Sequence, residues 1–470
     1  MPPMSAENHT TPPSSLMMKD QPVLTCFFNG VITATQQPAE NPALWSWDSR
    51  SGCWVTRAMN YSRLPRSMQE SLGRWSDLQI PGGNLPTLRD YQQEAEDAWL
   101  ATRCGTVVLP TGTGKTEVAL SIMAKTAFST LIVAPVRDLM YQWQRRIKAV
   151  IGYDAGIIGD QVMDVREISC TTYASAAIHM PKFGDRFKLL IFDECHHLPG
   201  PVRGDAARMS CAPWRLGLTA TPERSDGKED ELAELIGPIV YQMPLSAARG
   251  TVLADYDVVR IPVFLSDSEQ EEYDRCCGVM ERFRKGWLEE GKKFDWAKMC
   301  GSSAVDPKAR EALRAFWVRT SIENRAEEKL RILEDIFTLH PKSPTIVFVG
   351  SNQMAYNIAL RFLIPPMLSH CGKNERAEIL QRFEAGDYPA IVVNRVIDEG
   401  VDLPAAKVAV VLGGQSSKRQ ATQRLGRILR PSEGRKAILY EVVCAETAEV
   451  QRSRQRRKTD AYTGTRHRRA

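Results

Sequence analysis

Two short stretches hold side chains whose types and spacing could do chemistry. In LIFDECHHLPG, residues 190–200, Asp193, Glu194, Cys195, His196 and His197 follow an apolar run without a gap. In LPTGTGKTE, residues 109–117, two glycines, a lysine and three threonines follow the apolar run TVVL. Carboxylates, a thiol and two imidazoles side by side suggest zinc, but the spacing opposes it. Zinc sites draw ligand pairs two to five residues apart, with a second pair further on. Contiguous side chains diverge along an extended or turning backbone and do not all reach one ion. The chain has 11 cysteines and no CxxC; the near pair Cys276 and Cys277 lies in a helical pattern. The competing reading makes residues 187–192 a buried parallel strand whose terminal acids hold a magnesium ion belonging to a nucleotide.

That reading requires a phosphate loop upstream, and residues 109–116 supply one between a strand and a helix. Thr111, Gly112, Thr113 and Gly114 form the loop, whose glycines let backbone N–H groups approach phosphate oxygens. The helix opening behind them adds its N-terminal dipole. Lys115 would pair with the β- and γ-phosphates, and Thr116 would give its hydroxyl to Mg2+. Asp193 would complete the magnesium site through water, and Glu194 would orient and deprotonate an attacking water. His196 would connect this site to its surroundings. ATP and Mg2+ are the cofactors expected.

The elements that must position these groups follow from the apolar pattern. From Leu88, TVVLP, TLIVAP, ISCTT, LLIFDE and LGLTAT are short β-rich runs separated by stretches long enough for crossover helices. A second set comprises TIVFVG, LSHCG, AIVVN, VAVVLG and AILYEVV. The expected fold class is α/β, with two tandem parallel-sheet lobes, a helical insert between them and a small N-terminal β-rich module. The expected boundaries are a disordered start over 1–20, the module over 21–86, lobe 1 over 87–262, the insert over 263–338, lobe 2 over 339–447 and a basic, disordered tail over 448–470. In the module, Trp45, Trp47 and Trp54 either stack on bases or form the core of a small sheet. In the insert, Tyr273, Met280, Phe283 and Trp287 recur at helical spacing, and its Arg275, Arg282, Arg284 and Lys285 face either solvent or nucleic acid.

With 470 residues and 43% hydrophobic content, there is material for two or three domains. No apolar run reaches the roughly 18 residues of a membrane span, and the first twenty residues do not resemble a leader. The expectation is a soluble, cytoplasmic protein, nucleoid-associated if prokaryotic, with no membrane partner; the scattered cysteines fit a reducing compartment. Residues 451–470 hold eight Lys/Arg and one Asp out of a net +5, which leaves the body near neutral. Such a tail either grips phosphates without regard to sequence or is simply solvated.

Together GTGKT, DECH, TAT at 219–221 and QRLGRILR at 423–430 resemble the ordered motifs of superfamily 2 helicases and translocases. LRDYQQEA, IVAPVRDLMYQW, DECHHLP, LGLTATPER and VIDEGVDLP are similar to the XPB-like branch, over residues 88–443. The resemblance implies two RecA-like lobes and a DNA motor of 3′ to 5′ polarity in repair or genome defence. It implies that Gln92 reads adenine with Arg89 in support, and that Thr219 and Thr221 couple nucleotide to strand. Asp398, Glu399, Gly400 and Asp402 would line the second lobe's face, with Gln423, Arg427 and Arg430 as its catalytic reach and the arginines as fingers. Pro135, Val136, Arg137, Thr171, Thr172, Gly350 and Ser351 would touch the DNA, single-stranded or forked, mainly through its backbone. One departure stands out: the branch has Arg-Glu-Asp after TAT, where this chain has Arg224-Ser225-Asp226. Three alternatives stay open: a double-strand translocase, an RNA-directed one, and an ATP-switch subunit of an assembly containing a nuclease or repair partner.

Overall fold

In the computed structural model the described residues are 24–73, 85–222, 230–244, 256–289, 294–368, 370–394, 406–413, 437–456 and 468–469, with a few single positions between. The chain divides into two compact units, the first of residues 1–109 and 114–243, the second of 110–113 and 244–470.

The first unit holds two sheets. Strands β1 (Thr25–Phe28), β2 (Val31–Ala34), β3 (Ser46–Asp48) and β4 (Cys53–Arg57) form an antiparallel sheet in the order β1-β2-β4-β3. Trp45 is buried in its core with Ile32, Tyr61, Leu72 and Cys211, while Trp47 and Trp54 meet edge-on at 5.8 Å. Trp45 is therefore a packing residue here, and Cys211 of the neighbouring lobe shares its core. The larger sheet contains β5 (Cys104–Val108), β6 (Thr130–Ala134), β7 (Gly156–Gly159), β8 (Val162–Met163), β9 (Ile168–Thr172), β10 (Leu189–Asp193), β11 (Trp214–Thr219) and β12 (Ile239–Gln242). Their order is β12-β5-β11-β10-β6-β9-β7-β8, parallel apart from the β7–β8 hairpin. The middle strands are continuous apolar runs because helices cover both faces. Helix Arg137–Ile151 shows how that cover is made: Met140, Trp143, Ile147 and Ile151 lie along one buried stripe.

The second unit is built on β13 (Tyr256–Val263), β14 (Thr345–Phe348), β15 (Pro366–Met367), β16 (Ala390–Val393), β17 (Val408–Val411), β18 (Ala437–Cys444) and β19 (Arg468–Arg469). The order is β15-β16-β14-β17-β18-β13-β19, and every pairing is parallel. Helices Asp267–Glu289, Trp296–Ser302, Pro307–Arg325 and Glu327–Leu339 precede β14. No helix among the described residues is long and apolar enough to cross a membrane.

Three expectations need correction. Residues 256–262 were grouped with the first lobe, yet β13 pairs with β18 along eight residues in the second sheet; an apolar strand does not announce which sheet it will join. LSHCG was expected as a strand, but the strand here is Pro366–Met367 and Cys371 sits in a turn, its sulfur accepting from Leu368 N at 3.3 Å. The tail was expected to be free from residue 448, whereas Ala448–Arg456 is a helix. Its Glu449 and Ser453, one turn apart, are buried and draw a basic segment onto the fold. The expected disordered start, residues 1–20, lies outside the described residues.

That helix is anchored by a buried polar network. Lys329 and Glu449 pair at 2.8 Å with almost no exposure, and the Lys329 ammonium also donates to the carbonyls of Glu323 (2.6 Å) and Leu412 (2.7 Å). Glu449 accepts from Cys444 N at 2.9 Å, and buried Glu323 receives both Tyr273 Oη and Arg452. The insert helices, β18 and the terminal helix thus share one set of hydrogen bonds. Removing one member of a buried pair strands the other charge, at a cost of about 3–5 kcal/mol. Lys329→Met should therefore lower stability in urea unfolding followed by circular dichroism by about that amount, and the double variant Lys329→Met/Glu449→Leu should recover more than half of the loss.

Candidate nucleotide site

The site is assembled where β5 and β10 end, next to β11. After Leu109 the chain turns through Gly112 and Gly114, whose φ values of +86° and +85° suit glycine. Thr113 closes the turn, its hydroxyl donating to Pro110 O at 2.7 Å. Helix Lys115–Thr126 starts there, so Lys115 and Thr116 fall in its first turn and uncommitted backbone N–H groups face the loop. A Cβ on Gly114 would lie 2.3 Å from Gln92 Nε2 and 2.9 Å from Glu117 Oε2. The space beside the loop is therefore already taken by side chains.

Gln92 is buried. Its Oε1 accepts from Arg89 N at 2.9 Å, and its amide donates to Gly114 O at 3.3 Å. This glutamine ties helix Asp90–Thr102 to the phosphate loop. Arg89 donates to Tyr91 Oη at 3.3 Å.

Across from the loop stand the acids. Asp193 ends β10 and is 9% exposed. Its Oδ2 accepts from the Trp143 indole at 2.8 Å and its Oδ1 from Glu194 N at 3.0 Å. Burial and the neighbouring Glu194 push its carboxyl up to about 6, against the pull of Trp143 and Lys115. Glu194 turns the backbone into the left-handed region at φ +46°, unusual for a residue with a Cβ. Its Oε1 lies 3.8 Å from Lys115 Nζ, and its buried Oε2 has no hydrogen-bond partner among the described residues. Lys115 also donates to Leu109 O at 3.3 Å.

From Glu194 a line of contacts leads inward. His196, fully buried, has Nδ1 3.5 Å from Glu194 Oε2 and 2.9 Å from Thr219 Oγ1. Thr219 Oγ1 is also within hydrogen-bond reach of Thr221 O, at 3.0 Å. Thr221 N returns a bond to Thr219 Oγ1 at 3.2 Å, and Thr221 Oγ1 is buried without a hydrogen-bond partner among the described residues. Lys115, Glu194, His196, Thr219 and Thr221 are thus joined end to end.

His197 and Cys195 point elsewhere. His197 Nδ1 meets Arg203 at 3.3 Å, and burial holds the Cys195 thiol far above its ordinary range. Among the described residues no three His, Cys, Asp or Glu side chains are placed to share an ion.

The residues singled out for nucleic acid are differently placed. Arg137 is exposed and pairs with Asp160 at 2.5 Å at the start of its helix, with Pro135 and the cap Val136 before it. Thr171 is a sheet residue with no exposure, its hydroxyl donating to Ile158 O at 2.7 Å, so its side chain does not reach a surface. Thr172 caps helix Tyr173–Phe183 by accepting from Ser175 N at 3.3 Å, and Ser351, beside Gly350, caps helix Asn352–Phe362 by accepting from Met354 N at 3.2 Å. Arg224, Ser225, Asp226, Asp398, Glu399, Gly400, Asp402, Gln423, Arg427 and Arg430 lie outside the described residues. Trp143 and Tyr173, which hold Asp193 through its side chain and its carbonyl (2.9 Å), were not assigned from sequence.

The donor set suits a magnesium nucleotide. A glycine cradle at a helix N-terminus, an ammonium, a hydroxyl in the first helical turn and two carboxylates, one with an orphaned oxygen, are oxygen-ligand and phosphate chemistry. Gly114→Ala should weaken binding of a fluorescent ATP analogue at least about tenfold, since the left-handed conformation alone costs an alanine about 1–2 kcal/mol and its methyl displaces Gln92; fluorescence titration checks it.

Residues 85–224 match the family described as "Type III restriction enzyme, res subunit", and residues 324–464 match "ERCC3/RAD25/XPB C-terminal helicase". The chain is 42% identical over 375 residues to the "DNA 3'-5' translocase XPB2" of Sulfurisphaera tokodaii, covering 79% of this chain and 84% of that protein. It is 30% identical to the "DNA 3'-5' helicase XPB" of Mycobacterium tuberculosis, covering 80% of this chain and 64% of that one. Among solved structures, the helicase domain of Pyrococcus furiosus Hef superposes with TM-score 0.54 at 16% identity, over 79% of this chain and 98% of that one. Saccharomyces cerevisiae Dbp5 bound to RNA and ADP BeF3 superposes with TM-score 0.53 at 13% identity, over 81% and 89%. These two speak for a pair of RecA-like lobes. The chain belongs to the XPB-like branch of the superfamily 2 helicases and translocases.

Proposed function

We propose that the chain is an ATP-driven motor that moves 3′ to 5′ along DNA and separates its strands. The observation that carries this reading is the buried relay from Lys115 through Glu194 and His196 to Thr219 and Thr221. ATP with Mg2+ supplies the phosphoanhydride to be broken and the cation that neutralises its charge. Lys115 and the N–H groups of the loop hold the phosphates, with Thr116 and Asp193 on the metal side. Trp143 and Tyr173 keep Asp193 in place.

Glu194 Oε2, buried and short of a hydrogen bond, is the acceptor for a water's proton. Its strained backbone aims the carboxylate into the loop rather than along the strand. When Glu194 gains or loses negative charge, His196 Nδ1 feels it and passes the change to Thr219. Arg427 and Arg430 complete the reading as guanidiniums that meet charge developing on the transferred phosphoryl, the role in which such fingers contribute ~10³ to 10⁵ in rate.

A second reading has one specific support: the Sulfurisphaera tokodaii relative is named a translocase, not a helicase. On this reading the chain moves along duplex DNA without parting it, and Ser225, standing where the branch has glutamate, is the residue of interest. Strand displacement on substrates with opposite single-stranded overhangs separates the two. Displacement only from the substrate that loads 3′ to 5′ supports the first; ATP hydrolysis stimulated by duplex without displacement supports the second; no DNA stimulation at all refutes both.

Two variants probe the relay. Glu194→Gln should bind ATP and DNA as before and lose about 10²- to 10⁴-fold in turnover, read as phosphate release. Thr219→Val leaves the base intact but removes the hydroxyl that His196 meets; it should keep ATP affinity and basal hydrolysis while losing most of the stimulation by DNA.

A further inference from the structure

The helical insert forms a half-open cavity of about 530 Å³, lined by its own helices. Phe283 and Trp287 wall it, their rings 5.7 Å apart at 45°, and Phe294 continues the row 5.9 Å beyond Trp287. Around them stand Arg282, Lys308 and Glu311, none of which has a side-chain partner among the described residues. Asp306 also lines the space, but its carboxylate is already engaged as the cap of helix Pro307–Arg325, accepting from Lys308 N at 2.9 Å. The uncommitted lining is thus aromatic, with two cations and one carboxylate.

Gly286 supplies an independent observation. It sits inside helix Asp267–Glu289, where glycine weakens a helix relative to alanine. No positive φ requires it, and a Cβ there would meet nothing within 4 Å. Packing of the insert therefore gives no reason for it. Gly286 lines the cavity, and a side chain there would take up the space between the aromatic wall and the charges.

We propose that this cavity takes one unstacked base of single-stranded DNA together with its phosphate. Phe283 and Trp287 offer faces on which a base of any identity can stack. Arg282 and Lys308 meet a phosphodiester, and Glu311 accepts from base N–H groups. With Asp306 counted the lining is neutral, two cations against two carboxylates, so it tolerates the one charge of a single diester better than the several of a polyphosphate. An aliphatic ligand would leave all three charges unused. The inference rests on the motor reading above and gives it a grip on the strand that depends on bases as well as on backbone.

The test compares a mixed-sequence single-stranded oligonucleotide with one of the same length made of abasic residues, measured by fluorescence anisotropy with the wild-type chain, Gly286→Ala and Gly286→Leu. Wild type should prefer the base-bearing strand by about fivefold or more, the range that stacking on aromatic side chains supports. Gly286→Leu should bring the two affinities together without altering DNA-free ATP hydrolysis, and Gly286→Ala should narrow the gap while its thermal midpoint holds or rises. Should Gly286→Leu unfold the insert, Gly286→Ala decides alone. Equal affinity of wild type for both strands, or an undiminished preference in the filled variants, overturns the cavity assignment and leaves the motor reading intact. Loss of DNA-stimulated hydrolysis in wild type would instead sink the motor reading.

Discussion

Everything in the first unit turns on an imbalance of buried charge. Asp193 and Glu194 end one strand with little exposure, and Lys115 is the ammonium facing them, 3.8 Å from Glu194. At that distance one pairing contributes about 4 kcal/mol at the effective dielectric of a protein surface, which offsets one carboxylate and not two. Burial first, and the charge of Glu194 second, raise the Asp193 carboxyl against the pull of Trp143 and Lys115. Among the described residues two carboxylates thus face one ammonium beside a glycine loop, a donor set that suits a divalent ion on a phosphate chain. Glu194, held in left-handed backbone, carries the cost of that arrangement locally. The parallel sheet makes it tolerable by fixing both flanks of β10 to β6 and β11.

The same crowding makes the site communicate. His196 Nδ1 lies 2.9 Å from Thr219 Oγ1 and 3.5 Å from Glu194 Oε2, and Thr219 Oγ1 in turn lies 3.0 Å from Thr221 O. Each contact constrains the next. The second unit shows the same economy in a structural role: Lys329 binds Glu449 and two carbonyls, so helices distant in sequence become one body.

Much of this was legible in the residues. Short runs rich in Val, Ile and Leu marked the buried strands, and the strand–glycine–helix order marked the loop, because backbone geometry itself demands those residue types. Asp193 and Glu194 drew notice because they follow an apolar run, and that run is a strand ending at Asp193. Trp143 did not, since nothing in the sequence says that an indole on an amphipathic helix will reach an aspartate 50 residues away. Thr171 and Thr172 look alike in sequence, yet one points into the sheet and the other caps a helix. The sheet to which β13 belongs was hidden for a related reason: an apolar strand is compatible with either core. A helix in the basic tail was masked by net charge, which says nothing of the two buried positions, Glu449 and Ser453, that hold it.

The central claim is that the carboxylates at the end of β10 serve a magnesium nucleotide held by the glycine loop. A crystal structure with ADP, aluminium fluoride and magnesium would test it most directly. The account predicts the metal beside Thr116 and Asp193, with Glu194 facing the water opposite the leaving group. A metal bound instead by Cys195, His196 or His197, or phosphates lying away from Lys115, would contradict it.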